Sequence, residues 1–575
     1  MYFRTLTGFA LLALLGCSSK VQPPKPLYAV LRFENLTGNP ALDWIGRAAS
    51  ETLSTSLSTA MDGIVLTPSS LARLGKALGP RPGNVPGSSA QRQEAILAGA
   101  NHLISGYAEM VGGAVRFHAV DENLTTGKIV QSTVGSGVQP MAALSALARN
   151  ISPTAKPYAT LLPEALRLYA EALDSAPSDA KPLLGKVLGL DPEFGAAWVL
   201  LAGVEAGLGD AQGAAATIRE ARTHRLTALD KANLDVTTAS LAGDAKAKLS
   251  ALKQVTQLNP GDTTLLRAVA ESEVATGDFA AAATDWARLA ELVPADVDAW
   301  NQLGYTRAWG GNYAGAITAL AEYAKLRPAD ANPLDSTGDV HFMNRKYASA
   351  AQSYMAAHSK SPGFERFADL YKAAWAKFRA GDKAGADKTF AEFRVGRGKI
   401  SPQGVELAEA DWLYRTGRKA QAEALLRARI ADPASAAVAP NAYSQLAVWE
   451  LIDGDRAGAA RDALAAGQPR TPVMAIIRIA TMPSAPAAEW AARVEKMLPG
   501  PSLAGVRRLA LGYALLLDGK KSDAIPVWED ISKAASAGDF PLHALRDSLK
   551  GVPTKLALVP NPDAINQFAA LYGDL

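Results

Sequence analysis

Cysteine is nearly absent from this 575-residue chain: there is one, Cys17. No second thiol exists to close an intrachain disulfide or to build a cysteine-rich zinc or iron–sulfur site. Net charge is nearly absent too. Lys and Arg number 59 against 56 Asp and Glu, a formal +3, so no basic field argues for nucleic acid as a partner. Long apolar runs are missing, and no stretch approaches the ~18 unbroken apolar residues of a membrane-spanning helix. Gly (48) and Pro (34) fall short of the ~25–30% of low-complexity chains. Catalytic signatures are missing as well: there is no His-Glu-x-x-His, no G-x-S-x-G and no G-x-x-x-x-G-K-[ST]. The six histidines (His102, His118, His224, His341, His358 and His543) have no metal-ligand spacing. Gly396-Arg397-Gly398-Lys399 lacks the strand and spacing of a phosphate loop and reads as a basic loop between repeats. No cofactor, no metal and no enzymatic activity are expected.

What is present begins with an address. Arg4, a mostly apolar run from Thr5 to Leu15 and small Gly16 before Cys17 describe a secretory leader, too short to span a bilayer. Leu14-Leu15-Gly16-Cys17 looks like a bacterial lipobox. That resemblance implies that Cys17 becomes a lipidated first residue after removal of 1–16. Ser18 after the cysteine then implies the outer membrane, facing the periplasm. Acyl chains add ~0.8 kcal/mol per buried CH₂, enough to anchor without a spanning helix. Residues 17–26 are polar, basic and proline-stiffened, the composition of a tether.

Residues 27–152 read as a small α/β domain. Tyr28–Phe33 and Ile64–Thr67 are short strands, and the stripe Leu42, Ile45, Ala49, Leu53 and Leu57 has helical spacing. Gly79–Ser89 is a loop rich in Pro and Gly, and Ala90–Ala98 a second helix. His102–Met110 and Ala114–Asn123 flank Gly112-Gly113, a hairpin signal. Lys128–Val134 follows as a strand and Pro140–Ile151 as a helix. Val30-Leu31-Arg32-Phe33-Glu34-Asn35-Leu36-Thr37-Gly38, Gly99–Gly106 and Thr126-Gly127-Lys128 resemble the TolB amino-terminal-like domain of bacterial envelope proteins. The family usually has Pro where Arg32 stands. The resemblance implies a protein-contact module without catalytic residues; a generic α/β spacer is the alternative.

Length beyond ~250–300 residues demands several cores or a repeat array, and the remainder is periodic. Pro192, Pro260, Pro294, Pro328 and Pro362 share a 34-residue grid, with Leu226 in the missing slot. Gly209, Gly243, Gly277 and Gly311 keep that interval. So do Ile218, Leu252, Trp286, Leu320 and Tyr354, and Ala221, Val255, Leu289, Tyr323 and Ala357. Each unit reads as helix, tight turn, helix and break. With Trp300, Leu303 and Gly304 in one unit, these residues resemble the tetratricopeptide repeat (TPR). The expected architecture is α+β overall: a small α/β domain, then an all-α superhelix of about nine to eleven units over 161–538, with capping helices in 539–575.

The resemblance implies that the first helix of each unit lines the concave side. Helical phase along those helices selects Asp298, Asn301, Tyr305 and Trp309, then Asp335, Asp339, Phe342 and Met343. The next units give Tyr371, Trp375, Phe378 and Arg379, then Leu407, Asp411 and Tyr414. An aromatic stripe with acids would bind a protein or peptide partner; the alternative is that the same rings pack between helices. The function expected is a membrane-anchored scaffold, or else a glycan- or peptidoglycan-binding envelope module using that face.

Overall fold

The computed structural model describes residues 26–68, 71, 88–158, 160, 162–259, 262–469, 472–500, 503–534, 546, 549–551 and 556–561. Cys17, the expected leader and nearly all of the tether lie outside the described residues. So do most of Gly79–Ser89, Pro260 and the bulk of the expected capping helices, Pro541–Lys550 and Ala564–Tyr572.

The first unit is a sheet wrapped by helices. Strands β1 (Leu27–Val30), β2 (Glu34–Asn35), β3 (Ile64–Leu66), β4 (His102–Val111), β5 (Ala114–Asn123) and β6 (Lys128–Gly137) form one mixed sheet in the order β3-β1-β4-β5-β6, with β2 on β4. β1 runs parallel to β3 and β4, while β4, β5 and β6 form an antiparallel meander. Period-two alternation decides the faces: Val115, Phe117 and Ala119 of β5 are buried. They meet α1 (Trp44–Leu57) and α3 (Pro140–Ile151) through Ile45, Ala49, Leu53, Leu144 and Leu147. The opposite face of β1, β3 and β4, with Leu27, Ala29, Leu66 and Leu103, packs with α2 (Ser88–Leu97) residue Ala95.

A stack of helical hairpins follows. Its helices are α4 (Pro163–Asp174), α5 (Pro177–Leu190), α6 (Gly195–Gly207), α7 (Ala211–Ala221), α8 (Ala228–Ala242), α9 (Ala245–Leu258), α10 (Thr263–Thr276) and α11 (Phe279–Leu292). Then come α12 (Val297–Trp309), α13 (Tyr313–Leu326), α14 (Asn332–Met343), α15 (Tyr347–Lys360), α16 (Ala368–Arg379), α17 (Lys383–Gly398) and α18 (Pro402–Arg415). The described helices end with α19 (Lys419–Ala431), α20 (Ala439–Ile452), α21 (Arg456–Ala465), α22 (Pro472–Ala480), α23 (Ala487–Met497), α24 (Ala504–Leu517) and α25 (Lys521–Ala534). The protein is thus a small α/β domain followed by a helical repeat array. Among the described residues no helix is long and apolar enough to cross a membrane.

The 34-residue grid has a local cause at each turn. Gly209, Gly243, Gly277 and Gly311 have φ of 81°, 66°, 80° and 81°, a conformation that costs a Cβ-bearing residue energy. The next side chain then caps the second helix: Asp210, Asp244, Asp278 and Asn312 accept from the backbone N–H of Gly213, Ala247, Ala281 and Gly315. Pro192, Pro294 and Pro328 fall between helices, where a missing N–H is harmless. Ile218, Leu252, Trp286, Leu320 and Tyr354 are all buried. Gly396–Gly398, expected as a loop, is instead the last turn of α17. A Cβ at Gly396 would lie 2.7 Å from the Phe367 ring, so close packing and not phosphate chemistry explains that glycine.

The α/β domain is not an isolated bead before the array. Arg32 pairs with Asp174 of α4 at 2.7 Å, and Arg47 with the same carboxylate at 3.6 Å. Leu66, Ala98 and Leu103 share one buried cluster with Trp286 and Val293. At Gly99 (φ 85°) an added Cβ would lie 2.6 Å from Val293, so backbone and array approach closely there.

Candidate functional site: the ends of the first helices in the central units

Helices α12, α14, α16 and α18 carry the residues selected by phase, and burial separates them. Asp298 is exposed, whereas Asn301, Tyr305, Trp309, Phe378 and Arg379 are half-buried. Asp335, Asp339, Phe342, Met343, Tyr371, Trp375, Asp411 and Tyr414 are buried. For these the expectation of an open stripe is corrected. Ala373, Ala374 and Ala376 let the neighbours of α16 approach from every side, and all three are fully buried. The rings then find partners inside the stack. Trp375 meets Trp412 edge-on at 4.8 Å, Tyr371 meets Phe393 at 5.3 Å, and Phe390 stacks on Trp412 at 4.6 Å. Arg415 lies over the Trp375 ring at 4.4 Å. Tyr414 stacks on Trp449 at 4.4 Å. Packing between helices is therefore what these buried aromatics do.

The acids have a comparable explanation, through a residue that helical phase did not select. Lys372 of α16 is 7% exposed and places Nζ 2.6 Å from Asp335 and 3.1 Å from Asp339. The hydroxyls of Tyr305 and Tyr354 each donate to Asp339 at 2.8 Å. Two carboxylates share one ammonium, so full ionisation would leave the buried group with an unbalanced negative charge. Burial and the Asp339 charge push Asp335 up to about 7, with Lys372 opposing them. The second Asp335 oxygen, Oδ1, is buried without a partner, so no hydrogen bond offsets the cost of holding charge on that atom. Lys372 loses by desolvation but is held above the ordinary lysine value by the two acids. Tyr305 and Tyr354 are raised by burial and by the same acids. Beside this cluster, His358 Nδ1 lies 3.1 Å from Asp369.

Two backbone features set these units apart. Arg345 stands at the grid position of the turn glycines yet has φ 56°, and exposed Lys346 follows it where the four preceding units carry a capping Asp or Asn. Before α16, Glu365, Arg366 and Phe367 have φ of 42°, 58° and 69°, a left-handed run sparsely adopted by residues with a Cβ.

A segment far along the chain also reaches this region. Leu556 and Ala557 are 7% and 3% exposed, and Ala557 N–H donates to Met343 O at 2.7 Å. Leu556 belongs to the cluster of Leu320, Tyr323 and Val340, and Val559 packs against it. Ala557 belongs to the cluster of Phe342, Tyr371 and Trp375. Nothing in the helical phase could have found this contact, because phase relates residues within a helix.

No family model matches the chain, and no curated protein matches it. Among solved structures it is similar to MamA (19% identity over 30% of this chain and 94% of that one, TM-score 0.27). It is also similar to YrrB, described as a TPR protein with an unusual peptide-binding site (20% identity, 29% of this chain and 87% of that one, TM-score 0.25). Yeast Tom70 is a third (13% identity, 68% of this chain and 90% of that one, TM-score 0.29).

Proposed function

We propose that the chain is a lipid-anchored envelope protein whose tetratricopeptide array is a scaffold for protein or peptide partners, with a TolB-like domain at its amino-terminal side. The observation that carries the binding reading is the row of half-buried rings left at the ends of stacked first helices. Tyr305 and Trp309 stack at 5.7 Å, and Phe378 flanks Trp412 at 6.0 Å. Rings of this kind bring large contact area at low entropy cost. The test is crosslinking of the tagged full chain in cells, followed by identification of what is attached. Trp309→Ala and Phe378→Ala are each expected to reduce capture roughly tenfold or more, the scale of an interface hot spot, with circular dichroism close to wild type. Capture unchanged in both variants would remove this face from the function. Trp375→Ala is a different experiment, since its ring is 5% exposed and its loss is expected to lower the melting temperature.

The anchor rests on Leu14-Leu15-Gly16-Cys17. Cys17→Ser is expected to leave an uncleaved precursor or to release the protein from detergent-extracted membrane. Unchanged mass and unchanged membrane partitioning would refute the lipid anchor and, with it, the outer-membrane address.

A further inference from the structure

The contact at the end of α14 has the chemistry of a peptide held in a site. Met343 closes that helix, and a terminal helix carbonyl has no partner within the helix. Ala557 N–H supplies the partner, at 2.7 Å. The residues around it, 557–560, have neither helix nor strand structure of their own, so the segment is shaped by the surface it meets. Its two leading side chains are buried in two different clusters of the array, spanning the seam between the α12–α13 hairpin and α16. Pro560, also buried, has no N–H to donate and cannot extend a hydrogen-bonded ladder. The seam is distinctive within the regular register. It borders the one turn where Arg345 replaces the glycine of the preceding four units and is held at φ 56°, and such outliers point to function when the surroundings impose them.

We propose that this seam is a binding site for an apolar peptide segment that carries a proline, and that Leu556–Pro560 of the same chain is its built-in occupant. A partner bearing a comparable segment competes for the Met343 carbonyl and for the Leu556 and Ala557 positions. Binding is therefore coupled to release of the chain's own segment: a ligand reads the fraction of array whose seam is open, and its apparent affinity falls by that fraction. This deepens the scaffold reading and rests on it, by naming the chemistry of one partner and a restraint on its access.

The test uses the full chain and a fluorescent peptide of residues 555–561, Lys-Leu-Ala-Leu-Val-Pro-Asn. Ala557→Pro removes the N–H that meets Met343 while keeping the segment apolar. Fluorescence anisotropy is expected to give binding at least tenfold tighter to A557P than to wild type, and a peptide carrying Leu556→Asp is expected to bind neither. Hydrogen exchange on wild type is expected to protect the Ala557 amide. Equal affinity of the two chains, including equal absence of binding, would overturn the proposal. Release of a segment that stabilises the folded array lowers the melting temperature of A557P, and a fall that added 555–561 peptide does not reverse would also overturn the proposal, because the segment would then be a fixed structural strap. Crosslinking through Trp309 and Phe378 is read separately, so a failure here that leaves capture intact overturns the occupant and not the scaffold.

Discussion

Lys372→Met is expected to destabilise the array by about 3–5 kcal/mol at pH 8, the cost of stripping a buried ion group of one member. Asp335 and Asp339 are 3% and 8% exposed, and Lys372 is the cation that both of them meet. Methionine fills the apolar stem of lysine but supplies no charge, so two carboxylates are left facing each other in a poorly solvated site. The tyrosine hydroxyls on Asp339 soften this without neutralising it. Urea unfolding followed by circular dichroism measures the loss. A midpoint within error of wild type would mean that the ammonium does not balance these acids. Asp335→Asn added to Lys372→Met is expected to restore part of the stability, since one of the two stranded charges is then gone.

The same cluster fixes the sign of a pH effect. The folded-state value of Asp335 is pushed up to about 7, against an ordinary 3.8. Between those values the folded chain holds a proton that the unfolded chain has released. Stability therefore rises as pH falls from about 7 towards 4, by up to about 1.4 kcal/mol per unit for one such proton, and the gain is lost as pH rises through 7. Lys372 is raised above the ordinary lysine value; its contribution is complete below that value and is not lost in this window. In Lys372→Met the carboxyls have lost their counter-charge and hold protons to higher pH. The variant's deficit should accordingly shrink between pH 8 and pH 5, in melts compared at matched ionic strength.

How much of this was legible in the sequence depends on distance along the chain. The hairpin period was legible because each signal is local: a positive-φ glycine, a capping Asp or Asn beside it, a proline between units and a bulky residue inside each second helix. The strands of the α/β domain were legible for the same reason, through alternation at Val115, Phe117 and Ala119. Helical phase selects positions on successive first helices, yet it cannot tell a groove from a seam, since burial at Tyr371 and Trp375 depends on alanines in the same helix and on rings in the next unit. Lys372 had a signal that phase alone passes over. It lies 33 residues from Asp339, which is itself 34 from Tyr305, so the repeat period places all three side by side in successive units. Leu556–Asn561 and the docking of the α/β domain on Asp174 and Val293 are contacts between residues 142 to 214 apart in the chain, and no periodic signal encodes them.

Trp286→Ala is expected to cost about 3–5 kcal/mol, the range for emptying a large buried aromatic site, and the loss should spread beyond one hairpin. Trp286 lies in α11 and is 1% exposed. Its cluster contains Leu266 and Ala270 of α10, Ala299 and Leu303 of α12, and also Leu66 and Leu103 of the α/β sheet. Arg267 lies over its ring at 5.3 Å, so the substitution also strips that guanidinium of its aromatic neighbour. In a simple repeat stack damage stays between nearest neighbours. Here the cavity opens where two layers of the protein share one core, and α10, α12 and the β1–β3–β4 face all border it. Hydrogen exchange should therefore show faster exchange in β1 and β4 together with α10 to α12, while α20 to α24, built around their own cluster with Trp490 and Trp528, keep wild-type protection. Faster exchange confined to α10 to α12 would mean that the sheet does not lean on Trp286, and uniform loss across the chain would mean that the array unfolds as one unit.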